Sequence, residues 1–388
     1  ERLQRPLCLR VCRSYRTVST VAAQVLSALP PLWLKVKERA DLAKVRSTRV
    51  LQELPSDRSL QVAVEFGKLL HPAHRLYAPV STEVMNGNMI DLEVYTAGSA
   101  GLSGAGSAFV VVKVDRVIET KKFLLAKYCS KLQASLFSVW KSLEWLYKWL
   151  GKYASANGDV VKVNVCTNVV KGMMYGTSFD RMVFESQCMV RKILVEFHKK
   201  VEFVCEGRTG GAYAGLANDA AIAACRLKSA PAYDSFAYGY AKVRIRMLTN
   251  ERWNEYYKNS VHASGMKDFF EDVGSALKFV RQCGWSYHLT QALTGHGCFR
   301  AYLNRFRVID DPACKCDSVT VQSVCHLLFE CDLLDEDRNV WRRMCESKKI
   351  MFSMNGLRDA IKKGVELTVI GECLKCMVEC TIVMNEEE

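Results

Sequence analysis

The chain has 388 residues, 49% of them hydrophobic, so it is long enough to form two or three compact units with sizeable cores. Lys and Arg number 54 against 41 Asp and Glu, and the net charge of +13 favours a polyanionic partner over a basic protein, with ordinary basic solubility as the alternative. The 17 cysteines occur without a signal-peptide pattern or an apolar run of about 18 residues, which argues against a secreted or membrane protein and predicts an intracellular one, nuclear or cytoplasmic.

Residues 1–55 are predicted to form a helix, a turn and a second helix. Apolar residues recur at helical spacing in two stretches that Pro30 and Pro31 separate. The second stretch carries a basic face, and such a face is usually just solvated. Residues 56–87 carry no motif and are interpreted as a connector.

Residues 88–228 are predicted to form an α/β domain with a mixed five-stranded sheet and flanking helices. Its first two strands form a hairpin at 91–112, DLEVYTAGSAGLSGAGSAFVVV, where alternating apolar and polar residues lead into a Gly/Ser-rich turn and an apolar run. The elements that follow are a strand at 117–127, a helix at 131–152, a strand at 160–166, a helix at 182–199, a strand at 201–205 and a helix at 215–227. Three antiparallel strands followed by strands that alternate with helices predict this fold class.

The rest of the chain is predicted to be mainly helical. Residues 229–290 are an aromatic-rich helical linker region, residues 291–345 contain a cysteine-histidine box, and residues 346–388 form a helical tail. Three cysteines in the tail follow a helical pattern and are interpreted as buried packing rather than as a metal site: Cys373, Cys376 and Cys380.

The cysteine-histidine box offers three thiolates and one imidazole, a ligand set suited to a closed tetrahedral zinc site. Its ligands are Cys314, Cys316, His326 and Cys331. The H-x₄-C spacing is standard, whereas C-x-C is tighter than usual, and Cys325 is a competing ligand. Zinc would help to fold a small module here. The alternative is a box without zinc, held by packing of the apolar residues 327–329.

Basic and aromatic side chains alternate just before this box. Arg300, Arg305 and Arg307 are predicted to contact nucleic-acid phosphates, and the interleaved aromatic residues to contact bases. These aromatic residues are Phe299, Tyr302 and Phe306. Because aromatic residues at helical spacing more often belong to a core, core packing is the alternative.

Four stretches of the chain resemble one family, the non-LTR retrotransposons of arthropods. YTxGS with GxAFVVV resembles the opening hairpin of their ribonuclease H domains, and RSYRTVSTVAAQVLSALPPLWLKVKERA, at 13–40, resembles the segment between their reverse transcriptase and ribonuclease H domains. LTGHGxFxxYLxRF, and CxC with an HxLFEC box and Arg338, resemble their C-terminal tail, which has the same tight cysteine pair. The resemblance implies the C-terminal half of such a polyprotein, with a ribonuclease H-like domain and a CCHC zinc box. Since the chain begins at Glu1 rather than Met, we expect a fragment with a polymerase upstream.

Ribonuclease H of this family cleaves the RNA strand of an RNA-DNA hybrid with two cations held by four carboxylates. The matching motifs here read YTAGS, QAS, TNV and GLANDA, which leave Ala97, Ser135, Asn168 and Ala220 at the four carboxylate positions. The preceding loop, CEGRTGG, also lacks the histidine of the family's WVxGHxG-like loop. The resemblance therefore predicts a scaffold without its catalytic carboxylates.

Neighbouring carboxylates are poorly placed to substitute. Glu93 and Glu144 are expected about 13 Å from the positions they would have to replace. Asp219 is one residue out of register on a helix, which turns it about 100° away. We therefore expect neither magnesium binding nor hydrolysis in the old active site.

Three functions follow from these observations. The first is a catalytically inactive, ribonuclease H-like protein that binds nucleic acid, as RNA, DNA or their hybrid. The second is a non-enzymatic scaffold for a protein partner, with the aromatic residues of 229–290 and the apolar face of 365–384 as contact areas. The third is an RNA-DNA hybrid ribonuclease of an active element, which the four lost carboxylates oppose.

Overall fold

The computed structural model describes residues 2–52, 54, 58–69, 80–81, 92–153, 160–165, 169, 180–205 and 211–386. The chain divides into two compact units. The sheet unit is Leu42–Arg244, and the helical unit combines Glu1–Asp41 with Ile245–Glu388. The six segments expected from the sequence are finer than this division, and their boundaries stay a prediction.

The described elements are helical at both ends of the chain, with the strands in between. In chain order they are α1 (Gln4–Val11), α2 (Thr20–Leu26), α3 (Leu32–Thr48), β1 (Val80–Ser81), β2 (Leu92–Gly101), β3 (Gly104–Lys113), β4 (Arg116–Leu125), α4 (Lys131–Lys152), β5 (Val160–Asn164), α5 (Arg181–Phe197), β6 (Lys200–Val204), α6 (Ala212–Ala224), α7 (Tyr238–Asn259), α8 (Ser264–Phe269), α9 (Val273–Cys283), α10 (Tyr287–Thr294), α11 (Arg300–Arg305), α12 (Val324–Phe329), α13 (Asn339–Ser347), α14 (Met354–Lys363) and α15 (Leu367–Glu386).

The sheet unit contains a mixed sheet with the strand order β1-β6-β5-β2-β3-β4. β2, β3 and β4 are antiparallel neighbours, whereas β5 is parallel to both β2 and β6. The five predicted strands are all present, and their arrangement with flanking helices is consistent with a ribonuclease H-like fold. The prediction of five strands is incomplete, because β1 adds a sixth strand parallel to β6.

The segment interpreted as a connector is part of the sheet unit. Besides β1, it contributes Leu60, which pairs with Phe236 in a parallel bridge. Gln61 accepts a hydrogen bond from Gln133 in α4 (2.8 Å) and donates one to Asp180, the N-cap residue of α5 (2.9 Å). These bonds join the starts of two helices that flank the sheet.

α4 has the bounds that its apolar spacing predicts, because both its pattern and its start are well defined. The Ser130 side chain accepts a hydrogen bond from the Gln133 backbone N–H (3.2 Å), and the Gln133 side chain accepts one from the Ser130 backbone N–H (2.9 Å). This reciprocal capping box satisfies two N–H groups that the helix itself leaves without partners. It fixes the first turn of α4, which leads directly to Ser135.

α4 and α6 approach opposite faces of the β2–β3 hairpin at two glycines. A Cβ at Gly98 would lie 2.3 Å from the Ser135 backbone nitrogen in α4, and a Cβ at Gly106 would lie 2.4 Å from the Ala221 carbonyl oxygen in α6. Gly98 pairs with Ser107, the residue after Gly106, and successive residues of a strand face opposite sides. Each helix therefore reaches the hairpin backbone where a side chain is missing.

The helical unit has one hydrophobic core to which residues from both of its chain segments contribute. Cys8 and Leu26 from the N-terminal segment share it with Trp253 and Phe279, and α15 adds the buried residues of one face. Those residues are Leu367, Ile370, Gly371, Leu374, Met377, Val378 and Thr381. Within the described residues, we find no helix that combines the length and the apolar character needed to span a membrane.

Candidate functional site

The first two cysteines of the box lie at a short, closed turn. Ala313 and Val321 form an antiparallel bridge, and the Cys314 backbone N–H donates to the Thr320 carbonyl oxygen (2.7 Å). Inside the turn, the Asp317 carboxylate accepts backbone N–H bonds from Val319 (3.0 Å) and Thr320 (2.9 Å). The Thr320 hydroxyl and these two N–H groups hold the pKa of Asp317 below its usual range. The turn explains how a C-x-C pair places both sulfurs at one site.

The histidine and the third cysteine are placed by the short helix α12. Ser323 caps its start by accepting a hydrogen bond from the His326 backbone N–H (3.2 Å). At the end of α12, the Cys331 backbone N–H donates to the His326 carbonyl oxygen (2.9 Å). This hydrogen bond keeps Cys331 close to His326. The H-x₄-C spacing therefore spans the last turn of α12 and the hydrogen bond that ends it.

The four ligand atoms form a compact, largely buried cluster. All of them lie within 4.8 Å of one another. The Cys314 and Cys331 sulfurs are 3.7 Å apart, and the Cys316 sulfur is 3.3 Å from the His326 Nε2 atom. A tetrahedral zinc ion with bonds of about 2.3 Å to sulfur and about 2.0 Å to nitrogen sets these edges at about 3.8 and 3.5 Å. The set could hold a metal ion such as zinc, and the exposed Cys325 is outside it.

Two further side chains contact the ligands from behind. Gln322, fully buried, has its Nε2 atom 3.8 Å from the Cys314 sulfur, where an N–H donor favours a thiolate. The His326 Nδ1 atom lies 3.3 Å from a Glu330 carboxylate oxygen, so the Nε2 atom is the one that faces the thiols. Partners of this kind orient the residues that coordinate a metal ion.

Burial raises the pKa values of Cys316 and Cys331, and the neighbouring Cys314 thiol raises both further. Without a cation, the sulfurs of these two cysteines are therefore held as thiols near neutral pH. Zinc ligation by cysteine requires the thiolate form, so binding would release protons.

The box belongs to the core of the helical unit. Cys314 and Cys331 are fully buried members of that core, together with Leu327 and Trp341. The buried Arg338 donates from its Nη1 atom to the Leu327 carbonyl oxygen (3.5 Å), which ties the segment after the box back to α12. The site is therefore embedded in a large core and is not a separate small module.

Three of the four positions that the resemblance assigns to lost carboxylates lie around one point of β2. Ala97 and Ala220 belong to a single apolar cluster on the α6 face of the hairpin, with Ala108 and Ala217 among its members. Ser135 abuts Gly98, the residue after Ala97, from the α4 face. Asn168 lies outside the described residues, and so does most of the CEGRTGG loop.

The carboxylates that could substitute are directed elsewhere. Glu93 accepts a hydrogen bond from the Tyr95 hydroxyl (2.6 Å). Asp219 is exposed while its neighbour Ala220 is buried, as a helical rotation of about 100° requires. The described residues contain two groups of three or more metal-ligating side chains, and both lie in the helical unit.

The three arginines have different surroundings. Arg305 and Arg307 are exposed, whereas the Arg300 side chain is only 18% exposed and lies 3.9 Å from an Asp311 carboxylate oxygen. Among the interleaved aromatic residues, Phe299 is buried in the core, as the core alternative expected.

A polar cavity of about 560 Å³ opens beside Arg305 within the helical unit. Arg305 and Phe306 line it together with His296, and Thr17 hydrogen-bonds to His296 Nδ1 at 2.9 Å. Burial and the nearby Arg305 charge lower the pKa of His296 to about 4, so its ring is neutral at physiological pH. Sequence patterns did not indicate this cavity, because its walls come from segments far apart in the chain.

The cysteines of the C-terminal helix do not all pack in the core. Cys373 and Cys380 are partly buried against it, but Cys376 is exposed, so the prediction of buried packing is wrong for this residue. Each of the three cysteines directly precedes a residue of the buried face of α15, namely Leu374, Met377 or Thr381.

Comparison with known proteins gives little further information. No protein-family model matches the chain, and no curated protein matches it. A solved structure of LC11-RNase H1 in complex with an RNA/DNA hybrid matches with a TM-score of 0.28 and 17% sequence identity, over 34% of this chain and 96% of that chain. The order and directions of the strands are what make the sheet consistent with a ribonuclease H-like fold.

Proposed function

We propose that the chain is a catalytically inactive, ribonuclease H-like protein that binds nucleic acid, and that it derives from the C-terminal half of a non-LTR retrotransposon. The observation that carries the proposal is the chemistry around Ala97. Ala97 and Ala220 share an apolar cluster, and Ser135 offers only a hydroxyl on the opposite face of β2. Two-metal hydrolysis needs anionic oxygen ligands at these positions.

The positive charge of the chain supports the binding of nucleic acid by a protein without catalytic activity. The chain carries 54 basic against 41 acidic residues, and a net charge of +13 attracts polyanions at long range. In the helical unit, the exposed Arg305 and Arg307 lie next to Phe306, which is 43% exposed. Exposed cations beside an aromatic ring suit a phosphate backbone with an unstacked base.

The cysteine-histidine box is connected to the proposed surface around Arg305 through Gln322. The Gln322 side chain, next to the Cys314 sulfur, accepts a hydrogen bond from the Arg300 backbone N–H (3.0 Å) at the start of α11. Zinc in the box would therefore fix the helix whose end carries Arg305. The proposed role of the metal is structural.

Binding and hydrolysis are tested on the full chain with an RNA-DNA hybrid, a single-stranded RNA and a DNA duplex. We expect no cleavage of the hybrid with Mg²⁺ or Mn²⁺, and fluorescence anisotropy should show binding that weakens steeply with salt. Cleavage that the Asp219→Asn change abolishes would overturn the inactive assignment. Salt-independent binding, or no binding to any of the three, would overturn nucleic-acid binding.

A charge-matched pair of variants locates the surface. Arg305→Ala with Arg307→Ala should weaken binding and reduce the slope of log K against log salt by about 1.4 to 1.8, because each phosphate contact contributes about 0.7 to 0.9. Arg343→Ala with Lys349→Ala removes the same charge from exposed positions of the helical unit and should change the slope little. Equal effects of the two pairs would show that only net charge matters.

A further inference from the structure

A second group of metal-ligating side chains lies on the surface of the helical unit. This surface thiol cluster consists of Asp337, Cys376 and Cys380, and one ligand atom from each residue lies within 4.8 Å of the others. Asp337 and Cys376 are exposed, and Cys380 is partly buried. The ligands of the cysteine-histidine box form a separate group.

The two sulfurs are presented by one helix with fixed geometry. Cys376 and Cys380 are four residues apart on α15, so they lie one above the other on the same face. Their sulfur atoms are 3.9 Å apart. That distance is close to the edge of about 3.8 Å that two thiolates span on a tetrahedral zinc ion.

The helix is held in place by its other face. Leu374, Met377 and Val378 are buried in the core of the unit, so α15 has little freedom to rotate the two thiols away. Asp337 follows the short helical turn Asp332–Leu334, which begins directly after the box ligand Cys331. The carboxylate is thus positioned by a segment that is itself anchored in the core.

An independent feature lies beside the cluster. Asp337 and Cys376 line a small cavity of about 20 Å³ together with Trp341. The Trp341 side chain is only 4% exposed, and its Nε1–H is buried without a hydrogen-bond partner. The wall of this cavity is otherwise mainly apolar, with Leu327, Leu328 and Met377 among its residues, so Asp337 and Cys376 are two of its few polar groups.

We propose that Asp337, Cys376 and Cys380 bind a thiophilic divalent cation such as zinc in an open three-ligand site, distinct from the closed Cys₃His site. Two thiolates and a carboxylate supply a full negative charge each, which offsets the dehydration of the cation. Because Cys376 and Asp337 are exposed, the remaining coordination position faces solvent. The ion should therefore exchange with chelators readily, unlike an ion enclosed by the four largely buried ligands of the box.

The test uses full-length protein kept in a non-thiol reductant, loaded with zinc and then challenged with a weak chelator. Wild type should bind two zinc ions per chain, of which one is released quickly and one is retained. Cys376→Ser with Cys380→Ser should bind only the retained ion. Cys325→Ser, which removes an exposed thiol outside both groups, should still bind two.

Cadmium titration gives a second readout. The closed site contributes three sulfurs and the surface cluster two, so the double variant should lose about two-fifths of the cadmium-thiolate absorbance at saturation, with an unchanged thermal melt in the metal-free form. Equal metal stoichiometry in wild type and the double variant would overturn the proposal. This outcome does not bear on nucleic-acid binding, which is measured separately.

Discussion

Replacing Gly98 by alanine tests the close approach of α4 to β2 beside Ala97. A Cβ at this position would lie 2.3 Å from the Ser135 backbone nitrogen and 2.6 Å from the Ala134 carbonyl carbon. Both atoms belong to helix backbone, so no flexible side chain can move aside. Since ordinary contacts begin near 3.4 Å, the strand or the helix must shift by about 1 Å.

The expected cost follows from this overlap. Overpacking of a well-packed core costs about 1–3 kcal/mol, and a Gly→Ala change returns about 0.4–1 kcal/mol by restricting the unfolded chain. We expect Gly98→Ala to lower the free energy of unfolding of the sheet unit by about 1–2 kcal/mol. Gly101→Ala is the matched control on the same strand, because a Cβ there would have no atom within 4 Å.

Peptide-resolved hydrogen exchange is the suitable assay, since two compact units need not unfold together. Amides of β2 and α4 should exchange about 5- to 30-fold faster in Gly98→Ala than in wild type. Their rates in Gly101→Ala should stay within about twofold of wild type. Equal rates in the two variants would refute the close approach, and with it the position of Ser135 next to Ala97.

Three further predictions concern the helical unit. Cys331→Ser should lose the zinc ion that wild type retains against a chelator and lower the melting temperature, whereas Cys325→Ser should do neither; retention in both would contradict the four-ligand set. Gln322→Ala should weaken zinc binding about 10- to 100-fold in a competition titration, because it removes a side chain that contacts a metal ligand. An unchanged zinc affinity would show that Gln322 does not stabilise the site. The depressed pKa of His296 contributes stability above pH 6.5 that is lost as pH falls toward about 4. His296→Gln should flatten that part of the stability–pH curve, and an identical curve would rule His296 out as its source.

The sequence predicts well what depends on local pattern. The bounds of α4 follow from its apolar spacing and its Ser130–Gln133 capping box, and both are local properties. The hairpin of β2 and β3 follows from residue alternation and its Gly/Ser-rich turn in the same way. The four box ligands could be found because each is close in sequence to the next.

The sequence predicts poorly what depends on long-range packing. An apolar helix face does not specify its partner, so nothing in the pattern of 1–41 indicates that Leu26 and Phe279 share one core. The exposure of Cys376 shows the same limit on a smaller scale. The buried face of α15 includes Leu374 and Met377, which directly follow Cys373 and Cys376. A shift of one residue along a helix turns a side chain by about 100°, which is enough to expose a cysteine that was expected to be buried.

α15 relates the two metal-ligating groups to each other. At its end, the Asn385 amide exchanges hydrogen bonds with Gln322 (3.1 Å each), whose Nε2 atom also lies beside the Cys314 sulfur. Halfway along the same helix, Cys376 is exposed beside the partly buried Cys380. Because one rigid helix contacts both groups, an ion at the surface cluster would restrain the helix that supports the closed site. If a metal ion occupies the closed site, we expect its loss to free the end of α15 and the start of α11. The proposed nucleic-acid surface would then depend on that site through Gln322.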